Sequence, residues 1–569
     1  MILIFITGCA EKECKTKEDC PDKTCFSKDC VDYNCSYSQI IPCCGNKICE
    51  VGESYPECVD CPNCDDKNEC TIDSFDYHKQ ECIHEPIIPC CGNGICDEET
   101  LETHLSCSTD CPNCDDDNKL TADSFNYKTQ KCENIDLVVR VGGNGTYSSI
   151  QEAIDSASNG SIIQISQGTY LENIIITAKK TLTLQGGWNK GFTSRSDDNS
   201  LTVIDGGGDG SVINIHAGFG ETVTLSIEGF TIRNGEAYKS GGIFIESDGF
   251  IDATLKNNAI LGNKAQGGGG ITIQSNDGSI NVTLTENTIS GNIVDEAGGG
   301  IFVNSGGTAE VTLIGNVIAD NIVTNPFEKP PSDGGGIAAY ASGPGKTTLK
   351  LTNNLITENE AAVGGGIWAY AYGPDDAVVT IVLNNNIIAG NKAVYGAGIM
   401  FASGQTDTIT KPGGSVICTS TNNIITENVA NVGDGGVHLH SGSTYGAGGL
   451  ISLSSQNDII WGNKPRREPQ LLAVVEGGKS GIATAKASYS DVGSIRTSGG
   501  GTYNSYRVIN EDPLFINPEN QVFLLQDNSP CIDAGNPSLA YNDGCIPPAK
   551  GKERNDMGAY GGPNNCYWS

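Results

Sequence analysis

From residue 255 to residue 463 one phrase keeps returning: a short alternating apolar strand, an asparagine, then glycines leading into another strand. It reads LKNNAILGN…GGGGITIQ, LTENTISGN…GGGIFVN, LIGNVIADN…GGGIAAY, LTNNLITEN…GGGIWAY, LNNNIIAGN…GAGIMF and TNNIITEN…GDGGVHLH. The closing asparagines, Asn263, Asn292, Asn321, Asn359, Asn391, Asn428 and Asn463, stand 29, 29, 38, 32, 37 and 35 residues apart. Self-similarity at this period marks a solenoid, in which each unit packs only on its neighbours. The alternation is β-branched with no helical stripe, so helical-pair, ankyrin and leucine-rich repeats fit poorly and a parallel β-solenoid fits well. In such a coil Asn287, Asn316, Asn354, Asn386 and Asn423 stack at equivalent turns, their amides bonding along the axis, and the glycines turn the corners.

The glycine runs also set register. Ile301 and Val303, Ile367 and Ala369, and Ile399 and Phe401 point inward. Outward positions then hold Phe244, Glu246, Thr272, Gln274, Phe302, Asn304, Tyr340, Trp368, Tyr370, Met400, His438 and His440, with Glu246 their one carboxylate. Coils stack about 4.8 Å apart, comparable with one sugar unit of an extended glycan. The expected ligand-binding residues are therefore Phe302, Tyr340, Trp368, Tyr370, His438 and His440, with exposed rings stacking on successive sugars. The competing reading is that strands favour aromatics or that long loops, such as VTNPFEKPPSD, bury them. His438 and His440 share a strand face, but a metal would need a third ligand that the sequence does not identify.

Before the coils, Ile150, Ala153, Ile154 and Ala157 recur at helical spacing, with Ser148 or Ser149 as N-cap and Gly160 as stop. The net charge of -34 over 569 residues argues against nucleic acid or an anionic membrane surface as partner.

Of 25 cysteines, 21 lie at or before Cys132, which implies an oxidising compartment or metal binding. A module is repeated there, CCGNKICEVGE…CPNCDDKNECTIDSFDYHKQEC followed by CCGNGICDEET…CPNCDDDNKLTADSFNYKTQKC. Zinc is the rival for the C-x2-C pairs Cys61/Cys64 and Cys111/Cys114, but the Cys43-Cys44 and Cys90-Cys91 doublets favour disulfides. Asp65, Asp66, Asn68 and Asp73, matched by Asp115, Asp116, Asn118 and Asp123, form oxygen-rich loops of the sort calcium prefers, although the spacing is not that of an EF-hand. No segment is apolar for long enough to span a bilayer.

Four resemblances follow from these residues. Ile6-Thr-Gly-Cys9 resembles a prokaryotic lipobox, which implies lipidation of Cys9, although no basic region precedes it. The repeated modules look like small disulfide modules of secreted prokaryotic proteins. The entrance GSIIQISQGTYLENIIIT, the LTLQGGWN turn and the N-x-I-x-x-N…GGGI coils resemble the right-handed parallel β-helix, or pectin-lyase-like, superfamily. The tail EDPLFINPENQVFLLQDNSPCIDAGN…NDMGAYGG resembles the end of surface β-helix proteins of choice-of-anchor and polymorphic outer-membrane type. That resemblance implies that residues 512–515, 529–535 and 556–560 close the final coil and so cover a sheet edge.

The expected architecture is all-β: a right-handed parallel β-helix preceded by small disulfide-rich modules. Residues 1–8 read as a signal-peptide remnant, 9–42 as a Cys-rich linker, and 43–89 and 90–136 as the two modules. Residues 137–505 read as the β-helix with its capping helix and 506–569 as a C-terminal cap. The pectin-lyase-like superfamily includes enzymes, but fold alone does not decide activity. A lyase needs several convergent carboxylates and a base, and a hydrolase paired carboxylates. Arg195, Asp197, Asp198, Asp205, Arg233 with Asn234, Asp375 with Asp376, and Arg466, Arg467 with Glu468 match no such motif. The expected function is an adhesin-like extracellular or surface protein, at most lipid-anchored, that binds polysaccharide or another surface macromolecule. A pectate-lyase-type polysaccharide lyase and a structural spacer of the cell envelope are the alternatives.

Overall fold

The computed structural model describes residues 18, 26–31, 34–39, 47–67, 71–86, 95–96, 103–118, 120–177, 180–324, 333–373, 376–404, 413–442, 448–465, 470–475 and 481–568. Cys9 with its leader, Asn68, both Cys-Cys doublets, the loop over 325–332, Asp375, Arg466, Arg467 and Glu468 lie outside the described residues. The chain divides into two units, Met1–Asp136 and Leu137–Ser569.

The first unit contains antiparallel hairpins stapled by disulfides. Thr71–Asp76 pairs with Glu81–Pro86, and Thr121–Asn126 with Lys131–Asp136. Cys49–Cys61 and Cys64–Cys82 bridge one module, and Cys96–Cys111 and Cys114–Cys132 the next, in the same pattern. Both C-x2-C pairs are therefore spent in disulfides, which leaves no thiolates there for zinc. In each module a glutamine clasps the backbone of one bridged cysteine: Gln80 that of Cys49, and Gln130 that of Cys96.

The second unit is an all-β parallel solenoid entered through a helix, Ile150–Ser156, capped by Ser149. The Glu172 carboxylate accepts from the Ile150 and Gln151 amides, 3.0 and 3.1 Å away, so the coil behind completes the helix start. The helix ends at Ala157 rather than running to Gly160.

Among the described residues, three long parallel sheets of 13, 11 and 11 strands form the walls. The first runs from Val138–Val141 to Thr502–Tyr506, the second from Ile174–Ile176 to Ile495–Ser498, and the third from Gly168–Leu171 to Asp491–Val492. Inward residues of all three, such as Leu313, Ile367, Ala369, Ile388 and Phe401, form one continuous core. The expected register holds: Ile367 pairs with Ile399 and Ala369 with Phe401, with Trp368 opposite Met400 on the other face.

Two buried amide ladders bind the coils at their corners. In one, Asn258, Asn287, Asn316, Asn354, Asn386 and Asn423 each pass a side-chain N–H to the next residue's oxygen at 2.9–3.1 Å, ending on Asp458. In the other, Asn263, Asn292, Asn321, Asn359, Asn391 and Asn428 do the same at 2.8–3.1 Å as far as Asn463, whose backbone N–H ends the ladder on the Gln470 side-chain oxygen. Each side-chain oxygen also takes a backbone N–H from the preceding coil, as Asn354 does from Asn316 at 2.9 Å. The glycines that follow let coils touch: a Cβ on Gly366 would lie 2.5 Å from the Gly398 carbonyl. Gly364 adopts φ of +62°, the left-handed turn that brings the chain onto the next strand.

The C-terminal segment departs from expectation. After a bridge between Asp491 and Ile509 on the last coil it turns back along the outside of the third sheet. Phe515, Phe523, Leu525, Cys531, Met557 and Ala559 pack on Ile387, Ala389, Ile424 and Ile459. Asn385 and Asn422 donate to the Ala559 and Gly558 carbonyls, and the Tyr567 hydroxyl reaches the Gly315 carbonyl at 2.9 Å. The reason lies in the outward residues of that sheet: Thr231, Ala259 and Thr288 in early coils give way to Leu355, Ile387, Ile424 and Ile459. Contiguous apolar surface of that kind is costly to leave in water. Cys545–Cys566 staples the strap, while Cys418 and Cys531 are buried thiols.

Burial pushes three carboxyls at this junction upward, Asp491 to about 7, Asp543 to about 8 and Asp556 to about 6. An unfolded aspartate releases its proton near pH 4, so between pH 4 and 8 the folded state holds more protons. Stability must then fall as pH rises through that window. Thermal melts from pH 5 to 8.5 should show a declining midpoint, and Asp543→Asn should flatten the decline. Within the ladders, Asn354→Ala strips acceptors from two buried donors and should cost about 3 kcal/mol in denaturant unfolding. The exposed Asn281→Ala should cost under about 0.5 kcal/mol.

Candidate ligand-binding face

Cross-strand register fixes what lies along the outside of the second sheet. One column runs Asn214, Phe244, Thr272, Phe302, Ala338, Trp368, Met400, His438. The other runs His216, Glu246, Gln274, Asn304, Tyr340, Tyr370, Ala402, His440. Along the axis the face therefore passes from polar groups, through aromatic rings, to histidines.

At the polar end Glu246 is the hub. Lys239 Nζ lies 2.9 Å from its Oε1 and 4.9 Å above the Phe244 ring, while Gln274 donates to Oε1 at 3.3 Å. His216 Nδ1 lies 3.8 Å from the second oxygen.

In the middle stretch the rings touch one another. Centroid distances are 5.3 Å for Phe302–Tyr340, 4.2 Å for Tyr340–Trp368, 5.3 Å for Trp368–Tyr370 and 5.9 Å for Tyr370–Tyr372. This contact corrects the picture of a fully exposed ladder. Trp368 is only 4% exposed and His438 7%, while Phe302, Tyr340 and Tyr370 are half-buried. The residues do stand on the outer face, but rings wider than the coil spacing lean over their neighbours, with Ala338 and Ala402 buried in the same cluster. Trp368 is thus the floor, and the accessible ring area belongs to Phe302, Tyr340, Tyr370 and Tyr372.

Two acids that sequence reasoning passed over complete this face. Tyr340 donates to Asp333 at 3.2 Å, and Asp333 is itself buried. Burial drives the Asp333 carboxyl up to about 7 and the Tyr340 hydroxyl well above its ordinary value, with Asp333 adding to the latter. Burial also raises Tyr370 to about 12. Asp434 Oδ2 lies 2.5 Å from His438 Nδ1. A signal existed for both: Asp333 and Asp434 each stand immediately before the glycines of a corner, in SDGGG and GDGG.

The other charged candidates serve the scaffold. Arg195 pairs with Glu228 at 2.8 Å, Arg233 and Asn234 hold Asp205, and Asp198 caps the turn at Ser200. In the first acidic loop Asp65 accepts from the Lys67 amide and Asp66 from the Thr71 hydroxyl. There the Asp66 and Asp73 carboxylates converge on His84, whose Nδ1 is 2.7 Å from Asp73 and 3.4 Å from Asp66. That bond to Asp73 raises the imidazole and lowers Asp73. A nitrogen donor at the focus does not fit calcium, which takes oxygen ligands. In the second loop Asp115 accepts from the Asp117 amide, Asn118 from Leu120, and Asp116 from Asn134, which replaces the histidine. Among the described residues one oxygen of Asp123 has no hydrogen-bond partner.

No protein-family model matches the chain, and no curated protein matches it. Among solved structures it is similar to an alginate lyase from Paenibacillus sp. str. FPU-7, at 12% identity and a TM-score of 0.25. The likeness covers 63% of this chain and 96% of that one. At this level it bears on neither ligand nor chemistry.

If Trp368 is the floor of the ring cluster, Trp368→Ala should act on stability first. Chemical denaturation should show a loss of about 3 kcal/mol, whether or not any ligand is present.

Proposed function

We propose that this chain is an extracellular β-helix protein that binds a polysaccharide along the outer face of its second sheet, as an adhesin-like module. The observation that carries the reading is the run of half-buried rings, Phe302, Tyr340, Tyr370 and Tyr372, set on a buried tryptophan and flanked by the amide and carboxylate groups around Glu246. Rings held on a rigid floor offer apolar faces to sugars at little entropic cost, and polar groups alongside take hydroxyl hydrogen bonds. The disulfides of both units support maturation in an oxidising compartment. Among the described residues no helix is long and apolar enough to cross a membrane; a lipid on Cys9 would supply the attachment.

Glycan-array binding tests this directly. Tyr370→Ala combined with Tyr372→Ala should weaken binding at least about tenfold while leaving the melting midpoint within a few degrees of wild type. Unchanged binding by the folded variant refutes the reading. One observation favours a catalytic alternative: the Asp333 carboxyl, at about 7, lies against Tyr340 on this same face. A lyase would release unsaturated oligosaccharides from acidic glycans, with or without added calcium, and Asp333→Asn would abolish their appearance.

A further inference from the structure

At the histidine end of the face a buried carboxylate holds one nitrogen of a buried imidazole. Asp434 is 1% exposed and His438 7%, and Asp434 Oδ2 lies 2.5 Å from His438 Nδ1. Among the described residues the second nitrogen, Nε2, is buried with no hydrogen-bond partner. Neither protonation state satisfies it. A neutral ring buries a bare lone pair, and a protonated ring buries an N–H without an acceptor; either is unfavourable. A carboxylate that fixes one imidazole nitrogen so that the other presents its lone pair is the arrangement adopted by metal-binding histidines.

Two further donors share the location. Met400 is the cross-strand partner of His438, on the same outward face and 9% exposed. His440 follows two residues on, its ring centroid 6.0 Å from that of His438.

We infer that His438 Nε2, His440 and the Met400 thioether form a binding site for monovalent copper, with Asp434 as the positioning residue. Thioether and imidazole together select a soft cation over magnesium or calcium. Zinc is disfavoured because its sites are built from thiolates, imidazoles and carboxylates in a tetrahedral set, whereas here the nearest carboxylate is engaged by Nδ1.

The test uses the full oxidised chain, titrated anaerobically with Cu(I) against a chromogenic Cu(I) chelator. Wild type should bind one equivalent more than His438→Ala; the buried thiols of Cys418 and Cys531 contribute equally to both and cancel. Asp434→Asn should weaken that equivalent by about 10–100-fold. Met400→Leu, which conserves volume and keeps the fold, should weaken it at least about tenfold, and X-ray absorption of the wild-type complex should show nitrogen with one sulfur. Equal binding by wild type and His438→Ala overturns the site, as does undiminished binding by Met400→Leu. If His438→Ala fails to fold, Met400→Leu decides. These readouts are independent of glycan binding, so either reading can fail alone.

Discussion

A buried asparagine side chain cannot be left unpaired, and in this protein its partners lie one coil before and one coil after. That requirement determines the rest. Each rung spends its oxygen on two donors of the preceding coil and its amide on the next rung and a carbonyl behind. Satisfying a rung therefore locks neighbouring coils in register, and a slip of one residue would orphan every rung at once. The lock tolerates inserted loops, because ladder neighbours are 29 residues apart in some coils and 38 in others. The ladders end where the chemistry changes, on Asp458, which burial keeps raised, and on Gln470.

Register then decides which side chains meet on the outside. Because strands repeat at a fixed spacing, Tyr340 falls beside Tyr370 and Met400 beside His438 whatever the loops between them do. Large side chains in adjacent rows crowd, and small ones between them, Ala338 and Ala402, make room. The outcome is a second, smaller core on the outer wall, which gives the half-buried rings fixed positions.

Much of this was legible in the chain. The spacing of Asn263 through Asn463 and the GGGI corners were enough to give the solenoid, the ladder through Asn287 and Asn423, and the inward or outward sense of Ile367 and Trp368, while the second ladder, through Asn263 and Asn463 themselves, was not read. What could not be read was cover. Period-two alternation tells which way Trp368 points but not that Tyr340 would lie 4.2 Å from it. Nor does it tell that Asp434, four residues before His438 and across a tight corner, folds back onto the ring. The tail misled for a related reason. Its apolar residues call for a partner surface, and the sequence offers two, the open end of the last coil or the isoleucines on the third sheet. Only the shift from Thr288 to Ile387 and Ile424 on that sheet distinguishes them.

The strap along the third sheet divides the coils into two kinds. The coils around Asn263 and Asn292 lie before the residues it covers, so a coil duplicated between them would extend the solenoid without disturbing the strap, whereas Asn257 is already tied two coils back to the Asp197 carbonyl. Those from Leu355 to Ile459 are matched along their length by a segment stapled through Cys545–Cys566. Adding or losing a coil in that stretch would put Asn385 and Asn422 out of step with the carbonyls they grip. The molecule can therefore grow at one end, while the strap acts as a gauge that fixes the number of coils at the other.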